Sequence, residues 1–191
     1  MANVVVNTTS PMAGRRLVRD VNRLLVAGYH TIVDDDMSNL DVRLEGPMGT
    51  AYEGGVWTVN VAMPQEYPLK APRLRFVTKI LHPNIEFTTG LVCMNVFKQA
   101  WSANYDLLNI FETFLPQLLR HPNPHDPLNH HAAAIMKQSE KDFRDRVSMF
   151  LKMYALPIVL PGQSKDNESL DKRSSDLSLS DLLSDNDADD D

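Results

Sequence analysis

Three segments between residues 40 and 76 alternate apolar and polar side chains, and this alternation constrains the fold more than any other feature of the chain. The apolar positions are Leu40, Val42 and Leu44, then Trp57, Val59, Val61 and Met63, and finally Leu74 and Phe76. Because successive side chains of a strand point to opposite faces, each segment is predicted to be a strand with one buried face. The connectors GPMG at 46–49 and EGG at 53–55 are short and rich in turn residues, which favours an antiparallel meander over parallel strands joined by helices.

Helical patterns lie on both sides of these strands and make the expected fold class α+β. Their apolar positions are Leu17, Val21, Leu24, Leu25 and Gly28 in the first helix, Leu107, Ile110, Phe111, Phe114, Leu115 and Leu118 in the second, and Phe143, Val147, Phe150, Leu151 and Tyr154 in the last. Each set follows the period of one helix face. Pro116 lacks a backbone donor, so we expect a bend there in the second helix. Ser139 and Asp142 predict a capping box at the start of the last helix.

The chain has 191 residues and a formal net charge of −6, and this charge is unevenly distributed. Residues 162–191 hold ten acidic and three basic residues, which leaves 15 acids and 16 bases in the remainder. The C-terminal segment is rich in Ser and Asp and has too little apolar surface to offset its chain entropy. We therefore predict a flexible leader at 1–13, a compact domain at 14–157 and a disordered acidic tail at 158–191.

Several classes of protein are excluded by composition. No apolar run approaches the roughly 18 residues that span a bilayer, and no signal peptide is expected, so we expect no membrane contact. The single cysteine, Cys93, suits a reducing compartment, cytoplasmic and/or nuclear. A nearly neutral body offers no electrostatic footprint for nucleic acid. His121, His125, His130 and His131 fit no closed zinc set, so neither a metal nor a cofactor is expected.

Residues 79–104 form a long stretch without periodicity, and irregular length of this kind inside a compact domain is usually functional. The stretch contains Cys93 and Trp101. A lone cysteine is either a small buried apolar residue or a nucleophile. His82, in the same stretch, could suggest a cysteine–histidine dyad.

Six short motifs appear in the order of one known family and cover residues 14–155. They are YEGGVW at 52–57, YPLKAP at 67–72, HPN at 82–84, LVCMN at 91–95, AWS at 100–102 and PNPHDPL at 122–128. On these motifs the chain resembles the ubiquitin-conjugating enzymes. The resemblance implies an N-terminal helix, a four-stranded antiparallel meander sheet, an active-site cysteine loop and C-terminal helices.

The resemblance also implies a reaction, in which Cys93 takes ubiquitin from an activating enzyme as a thioester and delivers it to a substrate lysine. A thiol suits this relay because one thioester forms from another at little net free-energy change and stays reactive toward amines. Asn84 is implied to stabilise negative charge on the carbonyl oxygen, or else to order the active-site loop. Asp126 is implied to position or deprotonate the lysine, and His82 and Pro83 are implied to shape the loop.

Two sets of residues are implied to bind partner proteins. On the first helix, these are Arg15, Arg16 and Arg19, which are implied to bind the activating enzyme. The alternative is that they form a solvated face of the helix. Those in the two loops that the family presents to RING-type ligases are Pro68, Leu69, Ser102 and Ala103. Leu69 stands where the family commonly has Phe, and it would be either an exposed contact residue or a loop residue turned inward.

Within the family, the chain most resembles the member with an acidic C-terminal extension that works with the GID/CTLH type of ligase. The tail at 158–191 would dock on a basic patch of a ligase or substrate, or it would have no partner and only solvate the protein.

Two other functions of the protein stay open. One is the same relay with another ubiquitin-like modifier, and the other is a non-catalytic ubiquitin-binding module, against which Cys93 argues.

Overall fold

The computed structural model describes residues 11–95, 97 and 101–156. In chain order the elements are α1 (Pro11–Val26), β1 (Thr31–Val33), β2 (Asn39–Glu45), β3 (Val56–Ala62), β4 (Arg73–Phe76), α2 (residues 107–120), α3 (His130–Gln138) and α4 (Glu140–Tyr154). Helix α1 is described from Pro11, three residues before the predicted boundary at residue 14. The rest of the predicted leader and the acidic tail at 158–191 lie outside the described residues.

The four strands form one antiparallel sheet in the order β1-β2-β3-β4, which confirms the predicted meander. Val42 pairs with Val59, and Val59 pairs with Phe76, so one apolar row crosses three strands. The inward residues of β2, β3 and β4 are buried as the period-two pattern predicted. Gly46 is required where β2 ends, because a Cβ there would lie 1.7 Å from the carbonyl oxygen of Tyr52.

Helix α1 covers the core with part of its predicted apolar face. Leu17, Val21 and Leu24 are buried, whereas Leu25 is 49% exposed and Gly28 is exposed beyond the end of the helix. Inclusion of Leu25 in the buried face was therefore wrong. Neighbouring residues on a helix are turned about 100° apart, so a narrow interface buries Leu24 and leaves Leu25 at its margin.

Helix α2 is irregular just before Pro116 and consists of α-helical Leu107–Asn109, π-helical Ile110–Phe114 and α-helical Leu115–Arg120. The N–H of Leu115 bonds to the carbonyl oxygen of Ile110, five residues back. Pro116 then stands in the first turn of a new α-helical segment, where no donor is required. The departure from a regular helix is thus a π segment directly before the proline, and the bend predicted near Pro116 stays a prediction.

Helix α4 closes the described part of the chain and begins at a half-formed cap. Ser139 Oγ accepts from the N–H of Asp142 at 3.1 Å, but the N–H of Ser139 donates to the carbonyl oxygen of Ile135, so the reciprocal half of the predicted capping box is absent. After the helix, the carbonyl oxygen of Ala155 accepts from the N–H of Val56 at 2.7 Å. Among the described helices, none is long and apolar enough to cross a membrane.

Candidate active site

Cys93 lies where the segment after β4 turns away from the sheet. The bridges Arg75↔Leu91 and Ile85↔Val92 hold the residues just before it. The N–H of Cys93 donates to the carbonyl oxygen of Asn84 at 3.0 Å, and its own carbonyl oxygen accepts from the N–H of Phe97 at 3.1 Å. The residue is 6% exposed. The main chain on both sides of the thiol is therefore fixed by hydrogen bonds.

A tight turn at residues 86–90 precedes the cysteine. The Glu86 carboxylate accepts from the hydroxyl of Thr89 and from the N–H groups of Thr88 and Thr89, and these bonds lower the pKa of Glu86 to about 2. Gly90 has φ +74°, and a Cβ there would lie 2.0 Å from the carbonyl oxygen of Phe76. Only glycine fits this close approach, which places the turn against the end of β4.

His82 is buried and both of its ring nitrogens are engaged. Nδ1 accepts from the N–H of Asn84 at 2.9 Å, and Nε2 donates to the carbonyl oxygen of Leu118 at 3.0 Å. Burial lowers the pKa of His82 to about 4, although the bond to Leu118 opposes this shift, so the ring is neutral at pH 7. With no lone pair left to accept a proton, His82 supplies no base to the thiol of Cys93 in this geometry.

Asn84 joins the cysteine loop to the loop at residues 123–126. Its Oδ1 accepts from the N–H of Asn123 at 2.8 Å, and its Nδ2 donates to the carbonyl oxygens of Asn123 and Asp126 at 2.9 and 3.1 Å. Both amide hydrogens are thus already bonded to main-chain oxygens. Pro83 adds to the same connection, because its carbonyl oxygen accepts from the N–H groups of Leu128 and Asn129.

The three residues predicted to be catalytic therefore belong to one hydrogen-bonded unit. Asn84 accepts from Cys93 through its main chain and donates to the main chain of Asp126 through its side chain. The Asp126 residue is exposed. The unit thus links the main chain at Cys93 to the main chain at Asp126, and places the two residues on neighbouring loops.

Two loops predicted to bind ligases lie side by side, and we call residues 66–70 loop A and residues 101–105 loop B. Trp101 Nε1 donates to the carbonyl oxygen of Pro68 at 3.0 Å. Leu69 is 80% exposed, so its side chain is not turned inward. Ser102 is exposed and Ala103 is half-buried. A cleft of about 800 Å³ opens between these loops and the residue after the cysteine, and its apolar lining includes Met63, Leu69, Met94 and Trp101.

The arginines of α1 are not equivalent. Arg15 is exposed, and 60% of the Arg19 side chain is exposed. Only 20% of the Arg16 side chain is exposed, because it forms an ion pair with Asp20 at 2.6 Å and donates to the carbonyl oxygen of Tyr105 at 2.7 Å. Three residues expected to act alike are therefore divided into two exposed cations and one that is largely engaged within the protein.

Sequence reasoning missed Asp20, a fully buried carboxylate on α1. It accepts from Arg16, from Arg19 and from the hydroxyl of Tyr67. A signal for it exists in the sequence, since Asp20 falls three residues after Leu17 and so lies on the apolar face of the helix. An acidic residue at such a position is rarely buried unless partners compensate its charge.

In the part of the chain that the structure describes, no three His, Cys, Asp or Glu side chains converge in a way that would hold a metal ion. His130 and His131 instead occupy the first turn of α3, which Asn129 caps by accepting from the N–H of Ala132 at 3.0 Å. Burial and the nearby charge of Arg146 lower the pKa of His131.

A helix, a four-stranded antiparallel meander, a cysteine-bearing loop and further helices in this order define the ubiquitin-conjugating fold. The family model described as "Ubiquitin-conjugating enzyme" matches residues 16–151, and the chain belongs to that family.

Known members of the family are similar over most of their length. "Ubiquitin-conjugating enzyme E2 5" of Arabidopsis thaliana is 43% identical over 150 residues, which cover 78% of this chain and 80% of the relative. "Ubiquitin-conjugating enzyme E2-23 kDa" of Triticum aestivum is 41% identical over 150 residues, with the same coverage of 78% and 80%. Among solved structures, the E2 domain of a Toxoplasma gondii ubiquitin conjugating enzyme has a TM-score of 0.69 at 29% identity, covering 74% of this chain and 98% of that one.

Proposed function

We propose that this member of the family carries ubiquitin as a thioester on Cys93 and transfers it to a substrate lysine together with a RING-type ligase. One observation supports the proposal above the others. The cysteine, its main chain bonded to Asn84, shares a hydrogen-bonded unit with the loop that carries Asp126. The proposed reaction thus has a nucleophile and an exposed carboxylate on neighbouring loops.

In the first proposed step, the Cys93 thiolate attacks the carbonyl carbon at the C-terminus of ubiquitin, which the activating enzyme holds as a thioester. The new carbon–sulfur bond to Cys93 forms as the thiolate of the activating enzyme leaves. In the second step, a lysine amine attacks the same carbon, an isopeptide bond forms and the Cys93 thiolate leaves. The first step exchanges one thioester for another and the second consumes it to form the amide, so no cofactor is needed on this chain.

Asp126 would serve the second step. A free lysine has a pKa of about 10.4 and is mostly protonated near pH 7, so it needs an acceptor or desolvation before it can attack. We assign that role to the exposed Asp126 carboxylate. For Asn84 we favour the role of ordering the loop over that of stabilising the oxyanion, because both of its amide hydrogens are bonded to Asn123 and Asp126.

Partner binding follows from exposure. Arg15 and Arg19 present cationic groups for the activating enzyme, and exposed Leu69 and Ser102 present loops A and B to a ligase.

A GID/CTLH-type ligase is the partner we favour, on the resemblance of the acidic tail, and we place the reaction in the cytoplasm or nucleus. The tail would dock on a basic patch of the ligase or substrate, and deletion of residues 162–191 should then weaken ligase binding at low salt. Unchanged binding and ubiquitination would contradict the docking role.

The decisive test is a charging assay with purified chain, ubiquitin-activating enzyme, ubiquitin and ATP. We expect an adduct that reductant cleaves, and we expect none from Cys93→Ala. Cys93→Ser is the matched variant, since an ester formed on its hydroxyl resists reductant. Replacing the activating enzyme by one for another ubiquitin-like modifier should give no adduct. Absence of a reducible ubiquitin adduct, under conditions where another conjugating enzyme is charged, would contradict the proposal.

A further inference from the structure

The buried carboxylate of Asp20 is the centre of a polar cluster that lies beneath the two exposed loops. It accepts from Arg16 Nε at 2.6 Å, from Arg19 Nε at 3.4 Å and from the hydroxyl of Tyr67 at 2.6 Å. Asp20 is fully buried and Tyr67 is 3% exposed. A buried charge is tolerated only where such partners compensate for the lost water.

The cluster reaches both loops from the same helix. Tyr67 belongs to loop A, so its bond to Asp20 fixes that loop to α1. Arg16, which pairs with Asp20, also donates through Nη2 to the carbonyl oxygen of Tyr105 in loop B at 2.7 Å.

A third bond joins the loops to each other, because Trp101 Nε1 of loop B donates to the carbonyl oxygen of Pro68 in loop A. The Trp101 ring also lies 5.9 Å from the ring of Tyr67. Helix α1 and the two loops are therefore joined pairwise, in a closed ring of contacts.

We infer that Asp20, Arg16 and Tyr67 are positioning residues, which hold loops A and B in the arrangement that a ligase binds. This inference rests on the proposed function, since it names what orders the proposed ligase surface. It also changes the role of Arg16, which sequence analysis grouped with Arg15 and Arg19 as a contact for the activating enzyme. With its guanidinium bonded to Asp20 and to Tyr105, Arg16 acts inside the protein, whereas the side chains of Arg15 and Arg19 remain exposed on α1.

The physical advantage is a lower ordering cost when a ligase binds. Loop A carries Leu69 almost fully exposed, so no apolar packing of that side chain restrains the loop. The buried ring of Tyr67 and the hydrogen bonds from beneath restrain it, and a loop ordered in advance loses less conformational entropy on binding. Burial and the Asp20 carboxylate raise the pKa of Tyr67, so its hydroxyl remains a donor across the physiological pH range.

Tyr67→Phe is the central test, because it removes one hydroxyl and leaves the aromatic ring in place. Asp20→Asn removes the charge but carries a greater risk of misfolding. Tyr154→Phe is the matched control, since it deletes a tyrosine hydroxyl at the end of α4, away from both loops.

Amide hydrogen exchange on the free protein is the first measurement. We expect exchange to rise about tenfold in residues 66–70 and 101–105 of Tyr67→Phe, where the N–H groups of Leu69 and Tyr105 form loop hydrogen bonds. This is the size expected for losing one hydrogen bond to a charged group. Tyr154→Phe should exchange like the unmodified chain in both segments. Exchange within twofold of the unmodified chain in Tyr67→Phe would overturn the inference.

Ligase kinetics are the second measurement, with the purified RING ligase that most accelerates discharge of the charged, unmodified chain as the probe. Tyr67→Phe should raise the KM for this ligase about tenfold, while kcat, the charging rate and discharge to free lysine change less than twofold. An unchanged KM, or a charging rate that falls as much as KM rises, would overturn the inference. A charged adduct that forms normally in these variants separates this failure from failure of the proposed function.

Discussion

The sheet and the cysteine loop are held in different ways. The sheet is held by apolar rows such as Val42, Val59 and Phe76, which pair across strands and face the core. The cysteine loop adds buried apolar side chains of its own to the same core, such as Ile85 and Val92, and side chains bonded to main-chain groups hold it in addition, among them His82 and Asn84. One apolar framework thus supplies the global stability of sheet and loop, while local polar bonds form a second framework that fixes the geometry of the site.

A substitution in the apolar framework should lower the free energy of unfolding most and the rate of charging of the folded protein least. Leu40 is fully buried and pairs with Val61. We expect Leu40→Ala to lower the free energy of unfolding by about 2–5 kcal/mol, because it removes buried methyl groups and leaves a cavity. Urea titration measures the loss, and charging of Cys93 well below the melting temperature should stay within about threefold of the unmodified rate. A larger drop in charging of the folded variant would contradict the separation.

Acid should weaken the polar framework through His82. Its pKa is about 4 in the folded protein against 6.5 when unfolded, so the unfolded chain binds more protons between these values. Stability contributed by the neutral ring is therefore complete above pH 6.5 and falls as pH decreases toward 4, by about 3 kcal/mol in total. Urea titrations at several pH values should show this slope, and His82→Gln should lack it. An equal slope in both proteins would contradict the prediction.

Removing the hydrogen bonds of Asn84 between the two loops of the site should lower the free energy of unfolding less, and the rate of ubiquitin transfer to lysine more. Asn84→Ala removes the groups that bond to Asn123 and Asp126, and we expect the free energy of unfolding to fall by about 1–3 kcal/mol. Discharge of ubiquitin to lysine should fall at least tenfold, because the loop bearing Asp126 loses its position. Asn60→Ala is a control on the outer sheet face, where Asn60 bonds to Asp41. Reduced discharge with unchanged stability would indicate the oxyanion role instead.

The smallest effect on stability is expected at loop A. Leu69 is 80% exposed, so Leu69→Ala should change the free energy of unfolding by no more than about 0.5 kcal/mol. Ligase-stimulated discharge should nevertheless fall about tenfold if Leu69 is one of the few side chains that carry most of the binding energy of the interface. The stimulated and unstimulated discharge rates measure this directly. Equal reductions in both rates would show that Leu69 does not act through a ligase.

The same contrast explains what the sequence could predict. Strand faces followed from alternation, because the side chains of a strand have a period of exactly two. Leu25 was misplaced because the helical period defines a face only to within about one residue. Asp20 and Tyr67 are 47 positions apart, and Arg16 and Tyr105 are 89 apart.

Pairings over such distances leave no periodic signal, so the cluster beneath the loops appeared only in the structure. The π segment in α2 is a similar case. Its apolar positions fit an ordinary helix equally well, and Pro116 indicated only that some irregularity was needed.

The bond from His82 to Leu118 has a further consequence for the end of α2. The last carbonyl oxygens of a helix have no partner within the helix, and His82 Nε2 occupies that of Leu118 in place of water. A second proton on the ring would go to Nδ1, which then could no longer accept from the N–H of Asn84, whereas Nε2 would keep donating. Acid therefore releases the turn that carries Asn84 while the bond that caps the end of α2 is kept.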